Sequence, residues 1–475
     1  MVALPAAPTR NIVILGASYA GARAAELLSR TLPAGFRVVV IDRQSHFNHL
    51  YLHPRFSVVP GHSEKVFIPY KGTLPTEPPE DGTPPARHVI IHAAVTSINE
   101  DFIEIDRDLT EDERDLDGDE NEVAKLTDEL EAAKLEAPVE EKDPAARRLS
   151  WDYLIYALGC TLPPPLCSNY INKKGGIAFL DGQGKLISKA TKILVAGGGA
   201  LGIQYATDIA DLYNNDEHRE HLEPFKDKKD DKLPPKKEVT IVHSRDRFLP
   251  LYKQEVHDEI VSRMDKLGVD VVLGERLKLP PMEEDEPGKM KKITLKDGRE
   301  IEYDLLLRCT GQKPNSQLFR GFLPESLDDH GFINIRPTLQ VDVSEVPDHE
   351  ELSEKIRRNI YAIGDVANAG VIKAGHTGWN QAGVAVQNIM CCVETDLLNE
   401  KRKEDEEAKE PALVAYEKSP PQIKVSLGLN HSVSELLPAM DAKDTVIQKA
   451  ENGPVDGYYA VVWSRLGTES IDTSL

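Results

Sequence analysis

The chain has 475 residues, enough for two or three domains, and a formal net charge of −22. This charge argues against a nucleic-acid partner, because phosphate binding needs a basic face. No apolar run approaches the roughly 20 residues of a membrane span, and the residues before Arg10 lack the layout of a signal peptide. We therefore expect a cytoplasmic protein with at most peripheral membrane contact. The five cysteines form no C-x-x-C pair and the histidine spacings match no zinc site, so no metal is predicted.

The first pattern along the chain is a strand, a glycine-containing turn and a helix. Residues 12–15 form a continuous apolar run, which is typical of a strand buried on both faces of a parallel sheet. Glycines then open the turn and the helix in the pattern G-x-S-x-x-G, which can place backbone N–H groups beside a dinucleotide pyrophosphate. Taken alone, the pattern fits an ordinary strand–helix turn equally well. The candidate binding residues are Gly16, Ala17, Ser18, Tyr19, Ala20 and Gly21.

The next predicted strand, residues 37–41, ends in Asp42, near the spacing at which a carboxylate binds a ribose diol. An aromatic segment, residues 47–70, follows. Within it Arg55 stands in an apolar setting, where an unpaired guanidinium would be costly. Arg55 is therefore expected to face an anion, either a protein carboxylate or a cofactor phosphate.

Residues 89–98 and 102–106 are predicted strands, and they precede an acidic segment without aromatic residues. This segment, residues 107–148, is predicted to be a surface insertion or a disordered excursion, with at most a solvated helix at 123–135. Order resumes with WDYLIYALG, a buried strand that ends at Gly159.

A second strand–turn–helix pattern begins with a strand at residues 192–196 and continues into a helix at 203–212. Its turn carries G-x-G-x-x-G at Gly197, Gly199 and Gly202. Two such fingerprints in the right context rarely arise by coincidence. After a predicted surface loop at 214–237, the strand 239–242 ends in His243, Ser244 and Arg245.

The remaining chain repeats these themes. YDLLLRCTG, residues 303–311, follows a charged β-ribbon and repeats the pattern of WDYLIYALG. NIYAIGDVAN ends a strand at Gly364 and Asp365 and precedes a helix at 378–392. A charge-rich linker, residues 394–410, leads to short predicted strands such as QIKVSLGL and GYYAVVW.

The motifs GASYAG, YALG, AGGGALG, RCTG and AIGDV occur in the order found in flavoprotein reductases with two dinucleotide-binding domains, and the chain resembles that superfamily. FNHLYLHPRFSVVPG, HSRDRFLP and IKVSLGL are most similar to its apoptosis-inducing-factor-like branch, also called AMID-like or ferroptosis-suppressor-like. The resemblance covers nearly the whole chain apart from the acidic insertion. It implies an α/β fold with two Rossmann-like domains of the three-layer ββα type and a C-terminal α+β domain.

The implied domains are an FAD-binding domain at 1–185 and 325–392, an NAD(P)H-binding domain at 186–324, and a C-terminal domain at 393–475. The resemblance leaves a homodimer open. It places the first turn and Asp42 on FAD, Arg55 on the cofactor, and the backbone of Val95 on the adenine. Asp365 would bind the ribityl–phosphate end, although a helix N-cap is its alternative role. Further residues of these motifs, or next to them, complete the predicted cofactor-binding set: Arg43, Gly159, Gly311, Gly364, Lys373 and His376, the last two near the flavin ring.

Three positions depart from the family pattern: Ser18 replaces glycine, Leu158 replaces the usual threonine, and Gln204 stands where many relatives have glutamate. A disulfide reductase of this type also needs a cysteine pair, typically C-x4-C, after the first acidic strand, and that region contains no cysteine. The predicted function is therefore transfer of electrons from NAD(P)H through FAD directly to a quinone or another small acceptor. The alternatives are a flavin monooxygenase, whose F-x-G-x-x-x-H signature is missing, and a nicotinamide-sensing interaction protein with little turnover. Because a guanidinium suits a phosphate, Arg245 predicts that NADPH is accepted at least as well as NADH.

Overall fold

The computed structural model describes residues 9–74, 88–109, 144–227, 229, 231–282, 287–403, 407–439 and 442–468. The chain divides into two compact units. The first unit comprises Met1–Gln44, Tyr70–Cys160 and Pro314–Glu417, and the second comprises Ser45–Pro69, Thr161–Lys313 and Lys418–Leu475. Each unit contains a parallel sheet, which confirms the predicted α/β class.

The first unit is built on a five-stranded parallel sheet whose strands are apolar because both faces are covered. In spatial order its strands are Ile360–Ala362, Tyr153–Tyr156, Arg10–Leu15, Phe36–Asp42 and Val89–His92. An antiparallel sheet contains Val95–Ile98, Phe102–Ile105 and Arg148–Ser150, and a short parallel pair contains Ile333–Asn334 and Ala367–Asn368. The α-helices among the described residues of this unit are Tyr19–Thr31, Gln317–Phe322, Glu354–Arg358 and Gly375–Glu400.

Two predictions in the first unit need correction. The predicted strand 89–98 is two strands, because Ala93 N–H bonds to the Asp42 carbonyl while Ala94 N–H bonds to the Asp106 side chain. The predicted helix 378–392 runs from Gly375 to Glu400, through the start of the predicted linker. Asp396 explains the extension, since Tyr153 and Arg358 both donate hydrogen bonds to its carboxylate.

The second unit contains a four-stranded parallel sheet with the order Val269–Val272, Glu238–Val242, Lys192–Ala196 and Leu305–Arg308. The predicted ribbon is confirmed as the antiparallel pair Lys291–Thr294 and Glu300–Tyr303. Further antiparallel strands are Phe47–Asn48 with Phe67–Ile68, and Ile423–Ser426, Ser432–Leu436 and Val446–Ala450 together. The helices are His53–Val58, Lys173–Lys189, Ala200–Asn214, Gln254–Lys266 and Tyr459–Arg465. Two-residue strands at Cys160–Thr161 and Lys313–Pro314 lie where the chain passes between segments of different units.

The compact units differ from the predicted domain boundaries. The first unit includes residues 314–324 and 393–417, which the sequence predicts for the second and third domains. The second unit includes residues 45–69 and 161–185, which the sequence predicts for the first domain. Packing explains the difference, because a Cβ on Gly176 would lie 2.3 Å from the Phe67 ring, and Leu180 shares a buried cluster with Phe56. The end of the chain packs there too: Val425 and Leu427 join the core around the helix Ala200–Asn214. The three-domain division stays a prediction.

Two further predictions in the second unit are wrong. The segment GYYAVVW holds the helix Tyr459–Arg465, and its Trp463 is buried with its indole N–H on the Lys65 carbonyl. The predicted surface loop 214–237 contains the 3₁₀ helix Arg219–Phe225, whose Leu222 is buried in the core.

Most of the acidic insertion, residues 110–143 with its predicted helix, lies outside the described residues. Among the described helices, none combines the length and the apolar character that a bilayer-spanning segment requires.

Candidate dinucleotide-binding sites

The first glycine turn (residues 16–21) connects the strand Arg10–Leu15 to the helix Tyr19–Thr31. Gly16 has a φ of +97°, and a Cβ on it would lie 2.7 Å from the Ala157 carbonyl oxygen. A Cβ on Gly21 would lie 1.8 Å from the Gly16 carbonyl oxygen. Both positions therefore require glycine. No side chain caps the start of the helix at Ser18, so the turn fits a pyrophosphate bound at a helix N-terminus.

Asp42 braces this turn from the end of the neighbouring strand. Its Oδ2 accepts the Ala17 N–H at 2.6 Å, and its Oδ1 accepts the Gln44 N–H at 2.7 Å. Burial raises the pKa of Asp42, and these two N–H groups oppose the rise. The carboxylate thus holds the backbone of the turn at the place where a ribose diol is predicted to bind.

Ala20 brings together segments that are far apart in sequence. A Cβ on Gly378 would lie 3.0 Å from the Ala20 Cβ, and a Cβ on Gly364 would lie 3.3 Å from it. The Gly364 N–H donates to Oε1 of Gln381 at 2.7 Å. The AIGD motif therefore lies at the first glycine turn. Sequence reasoning missed Gln381, whose only signal is its place on a predicted helix.

Asp365 lies in the 3₁₀ helix Gly364–Val366, whereas the N-cap of the following α-helix is Ala374. Its alternative role as the cap of that helix is therefore wrong. Burial raises the pKa of Asp365, and the Lys373 ammonium opposes the rise. Lys373 is half-buried and donates to the Ala367 carbonyl. Asp365 and Lys373 thus place two opposite charges beside the AIGD motif. Such a polar setting suits the ribityl–phosphate part of a flavin cofactor.

The remaining residues predicted for FAD occupy different settings. Gly159 has a φ of +60°, and its carbonyl accepts the Asn315 N–H at 3.0 Å. The Asn315 side chain also donates to the Leu158 carbonyl at 2.7 Å, a brace that local sequence patterns do not reveal. Val95 starts a strand and pairs with Ile105. Arg43 and His376 are exposed.

The second glycine turn (residues 197–202) connects the strand Lys192–Ala196 to the helix Ala200–Asn214. Gly197 has a φ of +120°, and a Cβ on it would lie 2.3 Å from the Cys309 carbonyl oxygen. A Cβ on Gly202 would lie 1.9 Å from the Gly197 carbonyl oxygen. No side chain caps the helix at Gly199. The second turn thus repeats the steric design of the first and fits a second dinucleotide.

His243 follows the strand Glu238–Val242 and contacts the second turn. Its Nδ1 accepts the Gly198 N–H at 3.1 Å, and its ring stacks on Phe248 at a centroid distance of 5.7 Å. Burial lowers the pKa of His243, and the nearby Arg245 guanidinium lowers it further. Other residues predicted at this site are exposed: Ser244, Arg245 and Gly311.

The predicted cofactor role of Arg55 is wrong. Arg55 is buried and donates to both carboxylate oxygens of Asp208, at 2.7 and 2.9 Å. Its remaining donors bind the carbonyls of three residues in the C-terminal segment: Gly428, Leu429 and Val455. All five guanidinium N–H donors are therefore used. Of the two anions that the sequence left open for Arg55, a protein carboxylate is the correct one and a cofactor phosphate is not. Asp208 also bonds to Gln204, the residue that replaces the family's glutamate.

Two glycine turns of the same design, each at the start of a helix in a parallel α/β unit, are typical of a protein that binds two dinucleotides. A family model described as pyridine nucleotide-disulphide oxidoreductase matches residues 10–388. The chain belongs to this family. As a member of this family it uses FAD and NAD(P)H. The specific contacts of each residue with these groups stay predictions.

The chain is similar to named relatives over between half and nearly all of its length. It is 34% identical to Fe-regulated protein 8 of Mycosarcoma maydis over 473 residues, 98% of this chain and 96% of that protein. It is 23% identical to apoptosis-inducing factor homolog B of Dictyostelium discoideum, covering 91% of this chain and 90% of that protein. It is 28% identical to ferroptosis suppressor protein 1 of Mus musculus, covering 51% of this chain and 57% of that protein.

Solved structures share the fold. The sulfide:quinone oxidoreductase of Aquifex aeolicus matches 96% of this chain and 90% of its own with a TM-score of 0.62 at 11% identity. An NAD-dependent persulfide reductase from A. fulgidus matches 96% of this chain and 76% of its own with a TM-score of 0.56 at 15% identity.

Proposed function

We propose that the protein passes electrons from NAD(P)H through FAD directly to a quinone or a similar small acceptor, without a redox disulfide. FAD, when bound, supplies the atom that accepts the hydride. The observation that carries the proposal is the placement of the cysteines. The first 159 residues contain none, although a disulfide relay of this family type would need a pair there.

The five cysteines are all described, and all are free thiols. Cys160 is the one beside the predicted flavin residues, since its Sγ donates to the Asp365 carbonyl at 3.4 Å. Burial raises the pKa of Cys160 to about 12, and the Asp365 charge adds to the rise. A redox thiol reacts as its thiolate. Cys160 therefore stays protonated at neutral pH and is poorly suited to attack a disulfide.

A quinone suits the direct route as electron acceptor. A quinone takes two electrons from a reduced flavin without any thiol. The sulfide:quinone oxidoreductase, which shares the fold, is named for such an acceptor. A cytoplasmic location with peripheral membrane contact would suit a quinone as substrate, and both stay predictions.

An anaerobic titration of the flavin-loaded protein with NADPH tests the proposal. NADPH delivers two electrons, so one equivalent should fully bleach a lone flavin, whereas a flavin with a redox disulfide would consume two. Cys160→Ser should leave the endpoint at one equivalent. Consumption of two equivalents would contradict the direct route.

Turnover with a water-soluble ubiquinone analogue tests the acceptor. We expect NADPH oxidation that continues without oxygen and yields the quinol in equal amount. Oxidation that needs oxygen and hydroxylates an organic substrate would favour the monooxygenase. A reduced flavin that no quinone reoxidises would favour the nicotinamide sensor.

A further inference from the structure

The two units brace their glycine turns with different chemistry at the same position. Ala17 and Gly198 each directly follow the first glycine of a turn, and each donates its N–H to the residue at the end of the neighbouring strand. In the first unit that residue is the carboxylate of Asp42, and in the second it is the imidazole of His243. The second unit has thus replaced a carboxylate acceptor with a ring nitrogen.

His243 is held firmly in this role. Its side chain is buried between the turn and Phe248, with the two rings inclined by only 18°. A Cβ on Gly198 would lie 2.8 Å from Cγ of His243 and 2.5 Å from the Phe248 ring, so backbone and imidazole are in close contact. His243 therefore acts on a bound nucleotide through the backbone of the turn.

The replacement changes the charge at the end of the strand. Because Nδ1 accepts the Gly198 N–H, the ring proton lies on Nε2 and the imidazole is neutral. A carboxylate at this place accepts hydrogen bonds from a 2′-hydroxyl and repels a 2′-phosphate. A neutral imidazole also accepts an N–H of the turn, and it does so without that repulsion. The exposed guanidinium of Arg245 acts electrostatically on this imidazole.

We propose that His243 is the positioning residue of the second glycine turn and the residue that admits a 2′-phosphorylated nucleotide, because it gives the turn an uncharged acceptor. This inference rests on the proposed binding of NAD(P)H at the second turn. It assigns nucleotide choice to the buried His243, with Arg245 contributing attraction from the surface.

The test compares His243→Asp with His243→Asn in the flavin-loaded protein, using calorimetric titration with NAD+ and NADP+. Aspartate copies Asp42, so it should keep the brace and add the charge. We expect the ratio of the NADP+ to the NAD+ dissociation constant to rise at least tenfold, which is about 1.4 kcal/mol. Asparagine offers a neutral acceptor and should keep the wild-type ratio within about threefold.

An unchanged ratio in His243→Asp, or an equal rise in His243→Asn, would overturn the inference. If the wild type binds neither nucleotide, the proposed function fails instead. Long-range ¹⁵N–¹H spectra of the wild type, which need no variant to fold, should show a neutral His243 with its proton on Nε2 at pH 7. These signals should shift on addition of 2′,5′-ADP, and an imidazolium at that pH would also overturn the inference.

Discussion

The two glycine turns have nearly the same backbone, but the helices that follow them are buried in different ways. The helix Tyr19–Thr31 buries only alanines, a glycine and a leucine, and its Ala20 packs closely on Gly378. The helix Ala200–Asn214 buries two aspartates, Asp208 and Asp211, with no exposed surface. Turn geometry is thus set by steric limits common to both units, whereas the surroundings of each turn are free to carry different charges.

The buried aspartates tie the second helix to the C-terminal segment of its unit. Asp208 pairs with Arg55, which also binds three carbonyls of that segment. Asp211 accepts the Leu429 N–H at 2.8 Å, and a Cβ on Gly428 would lie 2.5 Å from its carboxylate. Buried charged groups therefore hold the helix Ala200–Asn214 in the second unit, whereas close packing of small residues holds the helix Tyr19–Thr31 in the first.

The largest expected effect is on stability. Arg55→Met should lower the free energy of unfolding of the second unit by about 4 kcal/mol, because removing one member of a buried ion pair leaves an uncompensated charge. Chemical denaturation followed by Trp463 fluorescence, with the other two tryptophans replaced by phenylalanine, would measure this loss. The matched control is Arg30→Met in the first unit, whose exposed pair with Glu26 should contribute below about 1 kcal/mol. A folded Arg55→Met variant that has lost its flavin would show that Arg55 contacts the cofactor after all.

The next effect separates the two sites. Gly21→Ala should weaken FAD binding, and Gly202→Ala should weaken NAD(P)H binding, each by about 100-fold, because the new Cβ would meet a backbone oxygen below 2 Å. Flavin content and nucleotide titrations measure the two losses. Gly182→Ala, where a Cβ meets nothing within 4 Å, is the control. If either variant lost both ligands equally, the two turns would not serve separate dinucleotides.

The two glycine turns could be predicted because the residues that determine them are neighbours in the sequence. The strands Arg10–Leu15 and Lys192–Ala196 contain apolar runs, and each is followed by a glycine with a positive φ. Their observed bounds lie close to the predicted ones. The site also needed contacts that no local pattern contains. Asp208 lies 153 positions from Arg55, so sequence predicted an anion but not which one.

The helix Tyr459–Arg465 shows a second limit of sequence reasoning. A seven-residue apolar segment fits a strand or a buried helix equally well by pattern. The choice between strand and helix depends on a partner elsewhere in the chain. The indole N–H of Trp463 donates to the Lys65 carbonyl, which is 398 positions away. Tyr459 and Trp463 stand four apart, which places them on one helical face, but the spacing acquires meaning only with that partner.

The two units should differ in how their stability depends on pH. His53 in the second unit is buried, and both of its ring nitrogens lack a hydrogen-bond partner among the described residues. Burial lowers the pKa of His53 to about 3. The unfolded chain binds this proton near pH 6.5 and the folded unit does not, so stability falls as the pH falls from 6.5 toward 3.

At pH 5 this one group should cost the second unit about 2 kcal/mol relative to pH 8. His53→Leu should remove that part of the pH dependence, which denaturation followed by Trp463 at several pH values would show. The exposed His330→Leu in the first unit serves as the control. Equal pH dependence in wild type and His53→Leu would mean that the imidazole is solvated in the folded protein.

The smallest effect concerns Gly199, the middle glycine of the second turn, where the first turn has Ser18. Gly199 is exposed, has an ordinary φ of −78°, and a Cβ on it would meet nothing within 4 Å. The protein itself therefore does not require glycine there, and only a closely approaching phosphate would. Gly199→Val should raise the NAD(P)H dissociation constant about tenfold at an unchanged unfolding temperature, because a branched Cβ would stand where the pyrophosphate approaches. Gly199→Ser should stay within about threefold of the wild type, since Ser18 occupies the same place with a similar φ of −82°. Tight nucleotide binding by the valine variant would show that the pyrophosphate does not approach the second turn at this residue.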